Sequence, residues 1–576
     1  MTDDSETTTE VTQATRRERL FHATLDRNPG ESTIRWCGMD IHPVVFPFAL
    51  LFVAVFLGFT LVLGDQAARV YSVVFESLNR NFGWFYILAV NVFIFALAWF
   101  GMSSYGHIRL GGPDAEPEFS NISWLAMLFT SGMGVGLLFF GVAEPMYHFL
   151  SGGGSFFDVA PTSPAAGRAA TAITMFHWGI HPWAIYGIVG LGLGFFSYNR
   201  GLPLGFRSVF YPILGSRIYD WPGHIIDLAA TIATVFGLAT AIGLGALQIT
   251  AGLDFVFASY TGTGIPTGVG TTIAIIAVLI GVTTVSAAVG LERGVRRLAR
   301  ANVGLMLSLL LLLFVLGPTV YLLDVFNSGI AAYLGNFIEL SFYAEAFAGD
   351  SAGWQHDWTI FFWGFWIVWA PFVGLFIARI SRGRTVREFV GGVLLVPALF
   401  SLVWMAVFNG SAIFVELQIA GGGITGPLQD QGRAVSLFTM LSYFPLTLVT
   451  SLTAIGALVT FFVTSADSGS LAISYLTAGG TRESETRQRA IWPVLIGGTG
   501  VALLLGDGLN ALQTAVIAAG LPFGVLILVM VYTVYRGLKR EAEIYRSEAY
   551  QQAVDASTDL EGTEPIDTTA PFRRDE

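Results

Sequence analysis

The chain has 576 residues, of which 53% are hydrophobic and only 12% are charged, and its formal net charge is −11. That charged fraction is about half of the share in ordinary soluble domains, and the acidic balance argues against a nucleic-acid-binding protein. The one cysteine, Cys37, excludes an intramolecular disulfide.

Long stretches without charge predict membrane helices. Residues 271–290, 302–323 and 394–415 contain no charged side chain. Since an α-helix rises 1.5 Å per residue, about 20 residues cross the ~30 Å hydrocarbon core of a bilayer. We therefore predict an all-α polytopic membrane protein with twelve transmembrane helices. The predicted spans lie near residues 44–64, 83–102, 122–149, 171–197, 224–255, 269–290, 302–323, 359–379, 390–415, 442–475, 490–506 and 512–535.

The distribution of basic residues predicts the orientation of the chain. A polar N-terminal segment, 1–40, precedes the transmembrane region, 41–537, and an acidic C-terminal tail, 538–576, follows it. If the N-terminus is cytoplasmic, all but four of the 30 Lys and Arg residues fall in cytoplasmic segments, as the positive-inside rule requires. The four exceptions are Arg69, Arg80, Arg168 and Arg433. We expect a multi-pass protein of the plasma membrane with both termini in the cytoplasm.

The third span contains three alternating glycines, Gly132, Gly134 and Gly136. Each weakens a helix by about 1 kcal/mol relative to alanine, and backbone carbonyls freed in a membrane can coordinate a cation. Gly132 and Gly136 also have the GxxxG spacing of close helix packing, although packing needs no Gly134. We favour a broken or flexible helix. Glu144 follows, and the sequence leaves open whether it is an interface residue or a functional carboxylate.

The fourth span carries Trp178, Trp183 and Tyr186. At about 100° per residue these rings fall within an arc of about 140° on one helix. Pro182 cannot donate a backbone hydrogen bond and predicts a kink. The rings therefore indicate either an aromatic binding surface or a belt at the membrane interface.

The longest predicted outside loop, 324–358, joins the seventh and eighth spans. Its part 330–347 is apolar and aromatic but carries Asn336 and Glu339. This pattern predicts an amphipathic interfacial helix.

The eighth span carries a tryptophan stripe, Trp363, Trp366 and Trp369, at i, i+3 and i+6. Aromatic faces attract cations, and aromatic cages bind quaternary ammonium groups. Structural packing of the same rings has equal weight. From spacing alone, both interpretations stay open.

The tenth span contains an unusually polar run that includes Thr464, Ser465 and Asp467. Such side chains are costly at membrane depth, which favours a functional site. Hydroxyls and free carbonyls suit a hard cation such as Na⁺. The alternative is hydrogen bonding of Ser and Thr to the preceding turn or across a helix interface.

The sequence contains no Walker A, HExxH or GxSxG motif. These absences argue against ATP-driven transport and against a hydrolase. We therefore expect that the protein is not an enzyme and needs no organic cofactor.

Three stretches, 132–145, 177–186 and 363–389, resemble the betaine/choline/carnitine transporter family. The most specific is the run that begins Trp366-Ile-Val-Trp-Ala-Pro-Phe. The similarity covers roughly residues 40–535 and is greatest to sodium-coupled glycine betaine transporters. It implies a LeuT-type fold with inverted five-helix repeats in spans 3–7 and 8–12, and a homotrimer. It also implies sodium symport of a quaternary ammonium osmolyte by alternating access.

The resemblance also implies the site residues. A tryptophan box for the substrate would consist of Trp178, Trp183, Tyr186 and Trp366. The approach to the box would be lined by Trp363, Phe365 and Trp369, with Met133 beside the ligand. One sodium ion would bind the hydroxyls of Thr464 and Ser465 and the carbonyls of Phe461, Thr130 and Met133. A second sodium ion would bind near Thr234 and Phe372.

Several residues bear on the subtype that the resemblance implies. Proton-coupled choline transporters of the family carry Asp where this sequence has Gly136, and sodium-independent exchangers replace Thr464 and Ser465. Glycine betaine with sodium is therefore the expected pair, with choline, carnitine or ectoine as alternative substrates. A transport-like sensor without net flux is a further alternative. Leu238 stands where the second-site pattern has a threonine, so the sodium stoichiometry stays open.

Overall fold

The computed structural model describes residues 20–23, 33–131, 134–289, 292–349, 353–479, 486–548 and 550–552. Gly132 and Met133 lie outside these described residues, as do most of the N-terminal segment and the tail beyond residue 552. The described chain is almost entirely helical. Two short strands, β1 Ile34–Trp36 and β2 Met39–Ile41, pair antiparallel before the first span.

The helices follow one another through short connections. The longer ones are α1 Val45–Leu63, α2 Asp65–Met102, α3 Asn121–Ser131, α4 Val135–Leu150, α5 Pro164–Trp178, α6 Ile180–Tyr198, α7 Trp221–Thr261, α8 Val269–Val289, α9 Glu292–Leu316, α10 Thr319–Gly335, α11 Phe361–Ile380, α12 Val386–Phe414, α13 Thr447–Thr477, α14 Thr486–Asp507 and α15 Leu509–Tyr545. Shorter α-helices are Gly154–Phe157, Phe206–Val209, Tyr211–Leu214, Phe337–Phe342, Thr425–Gln431 and Ser436–Leu441. The 3₁₀ turns are Ser104–His107, Gly215–Tyr219, Glu345–Phe347 and Arg433–Val435, and the π turns are His356–Ile360 and Val415–Ile419.

Local sequence explains several helix starts. Thr385 begins α12 with a capping box: its side chain accepts from the N–H of Glu388, whose carboxylate accepts from the N–H of Thr385. Ser163 caps α5 by accepting from the N–H of Ala166. Pro164 then occupies the first helical position, where no backbone donor is needed.

The number of spans agrees with the prediction. In the described chain, eleven helices are long and apolar enough to cross a membrane, with α5 and α6 taken together as one. A twelfth results if α3 and α4, which are bent by 55° relative to each other, form one broken span. The prediction of an all-α polytopic membrane protein is confirmed.

Several predicted boundaries differ from the structure; the span predicted over 302–323, for example, is interrupted, because α9 ends at Leu316 and α10 begins at Thr319. The second helix, α2, begins at Asp65 rather than at residue 83, because hydropathy detects only the apolar part of a helix that is polar at its start. Its 38 residues extend about 57 Å, well beyond a bilayer core. The predicted single helix over 330–347 is wrong. Asn336 ends α10, bonding back to the preceding turn, and the separate helix Phe337–Phe342 follows.

The bundle has two ends. At the first, which we call the terminal face, Ala23 donates to the carbonyl of Arg200, and residues that follow α15 lie nearby. At the second, the opposite face, Ser155 donates to Glu345 and accepts from Tyr343 through its carbonyl. Any substrate that crosses the bundle must pass between these two faces.

The joined helices α5 and α6 occupy the centre of the bundle. Their most apolar window is 94% buried, whereas the windows in α1 and α9 are only 28% and 22% buried. The peripheral helices therefore present apolar surface outward, as lipid contact requires. The central helices are the ones that carry the predicted aromatic site.

Candidate functional site

The third span is broken at the predicted glycines. The helix α3 ends at Ser131 and α4 begins at Val135. Gly134 between them is extended, with φ −161° and ψ 165°. At the end of α3, the hydroxyls of Thr130 and Ser131 donate to carbonyls three residues earlier, at 2.8 and 2.6 Å. Gly134, the described residue of this break, lines a cavity inside the bundle.

A second break separates α5 from α6 at Gly179. Ile180 begins the new helix and Pro182 lies in its first turn, where no backbone donor is needed, so the kink lies three residues before the proline that predicted it. The break leaves the carbonyl of His177 free of its own helix. The indole N–H of Trp366 donates to this carbonyl at 3.2 Å.

The four residues of the predicted box line one cavity between α4, α6 and α11, which we call the aromatic cavity. Its rings meet edge to face: centroids are 4.8 Å apart for Trp178 and Trp366, 5.3 Å for Trp183 and Tyr186, and 6.3 Å for Tyr186 and Trp366. The other lining residues are Ser131, Gly134, Val135, Gly136, Pro182, Ala241, Phe365, Trp369, Val373 and Ser401. The structure thus brings together predicted residues from four helices.

Hydrogen bonds directed away from the cavity fix the orientation of its indoles. The N–H of Trp178 donates to Glu144 at 2.8 Å, and the N–H of Trp369 donates to the carbonyl of Gly237 at 3.1 Å. Gly136 provides the room for this arrangement, because a Cβ there would lie 2.6 Å from the ring of Trp178. The aromatic faces are therefore left for the cavity.

Glu144 is fully buried and lies at the centre of a hydrogen-bond network. Its carboxylate contacts Nδ1 of His177 at 2.6 Å and Nε2 of His148 at 3.4 Å, besides the indole of Trp178. His177 in turn bonds Thr359 through Nε2 at 2.9 Å. Glu144 therefore lies inside the bundle rather than at a membrane interface, and a functional role for it stays a prediction.

Sequence reasoning missed the partners of Glu144. The i, i+4 spacing of Glu144 and His148 was the available signal, since it puts both side chains on one face of α4. His177 and Thr359 come from two other elements, and no sequence pattern joins them. Since buried carboxylates need such partners, a glutamate at membrane depth predicts polar side chains around it.

Trp363 does not line the aromatic cavity. It is 1% exposed and stacks on His181, with ring centroids 5.1 Å apart and planes 10° apart. Three aromatic residues of α11 do line the cavity: Phe365, Trp366 and Trp369. Around the helix axis they fall within an arc of about 100°, and Trp363 points about 110° away from the centre of this arc. The expectation that Trp363 lines the approach is therefore corrected.

A second cavity, which we call the hydroxyl cavity, adjoins the first. Ser131, Trp369 and Val373 line both cavities. The remaining lining residues are Thr130, Ala299, Arg300, Asn302, Val303, Phe372, Phe376, Phe461, Thr464, Ser465 and Ser468. All described members of the predicted first sodium set are among them. The hydroxyl of Thr464 donates to the carbonyls of Thr460 and Phe461, at 2.9 and 3.1 Å, which leaves its oxygen lone pairs able to accept a cation.

The structure does not bring Thr234 and Phe372 together at a second ion site. Phe372 lines the hydroxyl cavity, whereas Thr234 lines neither cavity and donates to the carbonyl of Ala230 at 2.7 Å. Leu238 fills the adjacent space against α13, since a Cβ on Gly469 would lie 2.2 Å from its Cδ1. Leu238, where the resemblance implies a threonine, thus contributes apolar packing and no side-chain oxygen.

The two cavities extend toward the terminal face. Arg300, near the start of α9, and Ser468, in the second half of α13, line the hydroxyl cavity on that side. Toward the opposite face, a ladder of stacked rings fills the route: Trp358 on Phe362 at 6.3 Å and Phe362 on Trp366 at 5.9 Å. Aromatic rings therefore occupy the space between the aromatic cavity and the opposite face.

Comparison with known proteins identifies the family of this chain. A model of the betaine/carnitine/choline family transporter matches residues 44–543. A protein named glycine betaine transporter 1, from Vibrio parahaemolyticus, is 41% identical over 526 residues, which cover 90% of this chain and 98% of that protein. A glycine betaine/proline/choline transporter from the same organism is 40% identical over 520 residues, covering 88% and 92%. A glycine betaine transporter from Acinetobacter baylyi is 38% identical over 525 residues, covering 91% and 77%.

Proposed function

Because this chain belongs to the betaine/carnitine/choline transporter family, we propose that it imports a quaternary ammonium osmolyte, glycine betaine, by sodium symport. The observation that carries the proposal is the aromatic cavity with the hydroxyl cavity directly beside it. The aromatic cavity offers ring faces for an organic cation, and the hydroxyl cavity offers oxygen ligands for a small cation such as sodium. The printed names of the relatives support betaine as the first substrate to test.

The trimethylammonium group of betaine would bind to the ring faces of Trp178, Trp183, Tyr186 and Trp366. Each cation–π contact contributes about 2 kcal/mol when the cation is desolvated, and the cation must lie within about 6 Å of each ring centroid. Trp178 and Trp366 are already in edge-to-face contact at 4.8 Å. The cation therefore cannot lie between these two rings unless they separate, so binding requires a local rearrangement of the box.

The remaining predicted substrate contacts follow from position. Phe365 and Trp369 line the aromatic cavity and would guide the osmolyte to the box. Met133 is proposed beside the ligand from the family resemblance alone. Trp363 is not proposed as a contact, because it stacks on His181 behind the cavity wall.

Sodium would bind in the hydroxyl cavity between α3 and α13. Its proposed ligands are the hydroxyls of Thr464 and Ser465 and the carbonyls of Phe461, Thr130 and Met133. Such an ion would hold the end of α3 in place, and Gly134 and Gly136, which follow, line the aromatic cavity. Ordering this break is therefore the physical link that we propose between sodium and substrate binding.

Transport would proceed by alternating access. The described state, with cavities that extend toward the terminal face, would be the one that the ring ladder closes at the opposite face. A second state, open at the opposite face, must alternate with it for net transport. The break at Gly134 and the break at Gly179 are the points at which the helices can bend.

We propose the plasma membrane as the location, with both termini in the cytoplasm, so that the terminal face is the cytoplasmic one. The distribution of basic residues supports this orientation. The proposed organisation is a cytoplasmic N-terminal segment, 1–40, a transporter domain, 41–537, and a cytoplasmic acidic tail, 538–576. The homotrimer is proposed from the family resemblance.

One experiment tests the function directly. Purified full-length protein is reconstituted into proteoliposomes, and accumulation of labelled betaine is measured with and without an inward sodium gradient. We expect accumulation only with the gradient. Choline, carnitine and ectoine are tested in parallel, and preference for one of them would replace betaine as the substrate. Saturable betaine binding without accumulation would instead indicate a sensor.

A further inference from the structure

We propose that Tyr147 and Trp358 form an outer binding slot for a quaternary ammonium group, and that the side chain of Arg433 occupies this slot in the described state. The osmolyte would displace Arg433 on its way to the aromatic cavity. This inference rests on the proposed function, since it takes both the ligand class and the outward direction of the opposite face from it.

The first observation is the environment of the guanidinium group. The Cζ atom of Arg433 lies 4.9 Å from the ring centroid of Tyr147 and 4.8 Å from that of Trp358. The two rings are 5.5 Å apart and inclined at 51°, so both faces reach the same cation. Two aromatic faces around one cation are the arrangement by which proteins bind quaternary ammonium groups.

The second observation is what the guanidinium lacks. Nη1 of Arg433 is buried and has no hydrogen-bond partner among the described residues. A guanidinium normally donates up to five hydrogen bonds, and leaving a buried donor unpaired is unfavourable. The guanidinium lies directly over two ring faces, and the carboxyl groups of Asp357 and Glu144 are near enough to attract it electrostatically without a hydrogen bond. A cation that needs no hydrogen bonds, such as trimethylammonium, suits the slot better than the arginine does.

The third observation is the position of the slot. Tyr147 belongs to α4, Trp358 to the π turn His356–Ile360, and Arg433 to the 3₁₀ turn Arg433–Val435. Arg433 thus comes from a different element than either ring, and a change of its side-chain rotamer is enough to vacate the slot. From Trp358 the stacked rings of Phe362 and Trp366 lead directly to the aromatic cavity.

These observations assign two roles to the slot. It would select large, weakly hydrated organic cations before they reach the box, because a small hydrated ion does not exchange its water for ring faces readily. It would also close the route again, because Arg433 returns to the rings once the osmolyte has moved inward. The arginine acts as an internal competitor of the substrate.

The test isolates the slot from the box. Full-length protein carrying Trp366→Ala, which disables the box, is compared with the double variants Trp366→Ala/Arg433→Gln and Trp366→Ala/Arg433→Lys. Binding of labelled tetramethylammonium to the purified proteins is measured. We expect Arg433→Gln to tighten binding about tenfold, which corresponds to about 1.4 kcal/mol. Arg433→Lys keeps a competing cation and should give a clearly smaller gain.

A second set of variants identifies the rings. Adding Tyr147→Leu and Trp358→Leu to the Arg433→Gln protein should remove the gained binding. Trp358→Phe keeps an aromatic ring and should give intermediate binding. This variant replaces the leucine variants in the comparison if those elute as aggregates on size exclusion. Arg168→Gln, at an exposed position on α5, is the matched control and should cause no gain.

The proposal is overturned if Arg433→Gln binds no more tetramethylammonium than its parent, or if the gained binding survives loss of both rings. Failure of the proposed function gives a different pattern. In that case the unsubstituted chain neither binds nor accumulates betaine. The tetramethylammonium comparison still shows whether the outer slot binds a quaternary ammonium group.

Discussion

The indole N–H of Trp178 donates to the carboxylate of Glu144 at 2.8 Å, and this bond connects the wall of the aromatic cavity to a fully buried acid. The same carboxylate contacts His177 at 2.6 Å. His177 in turn accepts the indole N–H of Trp366 through its carbonyl. Two rings of the proposed box are thus oriented through one network, which makes the network a target for mutation.

The first prediction concerns Glu144→Gln. The amide keeps the size of the side chain but replaces one of its two oxygens by an NH2 group, so either the acceptor for Trp178 is lost or the bond to His177 must change its donor. Since a buried polar group that loses its partner costs about 1–3 kcal/mol, we expect the KM for betaine to rise about tenfold. Uptake kinetics in proteoliposomes measure this change. Glu76→Gln, at an exposed site on α2, is the control, and an unchanged KM in the Glu144 variant would contradict the positioning role.

The second prediction concerns Trp366→Ala, which removes a ring that contacts both Trp178 and Tyr186. Loss of this face should abolish saturable betaine uptake, because the box then has an open side. Initial uptake rates over a range of betaine concentrations provide the measurement. Trp221→Ala, at a position 59% exposed on α7, controls for the loss of a tryptophan elsewhere. Near-normal uptake by a well-folded Trp366 variant would refute the box.

The sequence predicted much of this arrangement. Uncharged stretches predicted the span count, and the alternating glycines predicted the break before Val135. Trp178, Trp183 and Tyr186 were predicted from spacing and resemblance, and they do line one cavity. These features are local, because they depend on composition and on short-range periodicity.

Other features depend on how helices are rotated against each other, which local patterns do not specify. Trp363 belongs to the same stripe as Trp366, yet it faces His181 because the cavity lies on a different side of α11. The network of Glu144 joins three separate elements. The early start of α2 was missed because polar residues in a long helix resemble a loop in hydropathy.

The third prediction concerns the proposed sodium site. The double variant Thr464→Ala/Ser465→Ala removes two hydroxyl ligands from the hydroxyl cavity. We expect the sodium concentration that gives half-maximal uptake to rise at least tenfold, the change that about 1.4 kcal/mol of lost binding energy produces. Sodium titration of betaine uptake measures it. Thr453→Ala is a matched control on the same helix, because its hydroxyl also donates one turn back. An unchanged sodium requirement in the double variant would exclude this site.

The fourth prediction concerns Gly136→Ala. The added Cβ would lie 2.6 Å from Cη2 of Trp178, so the indole must shift, and its bond to Glu144 must lengthen or break. We expect weaker betaine binding, by about tenfold, with the sodium requirement nearly unchanged, since Gly136 does not line the hydroxyl cavity. Equilibrium binding to purified protein separates the two quantities. Gly58→Ala, where nothing lies within 4 Å of the new Cβ, is the control. Wild-type affinity would show that the ring tolerates the methyl group.

The last prediction concerns Thr234→Ala, at the position that the family resemblance assigns to a second sodium ion. The hydroxyl of Thr234 donates to Ala230 and reaches neither cavity, and Leu238 one turn later offers no oxygen. Removing the hydroxyl should therefore leave the sodium concentration that gives half-maximal uptake within about twofold of wild type. A twofold change corresponds to much less binding energy than the about 1.4 kcal/mol of a tenfold change. The counted sodium ions per betaine, from parallel ²²Na and betaine fluxes, should also stay the same. A lower sodium count in the variant would instead establish Thr234 as a ligand, and Leu238 would then be compatible with a second ion bound mainly by backbone carbonyls.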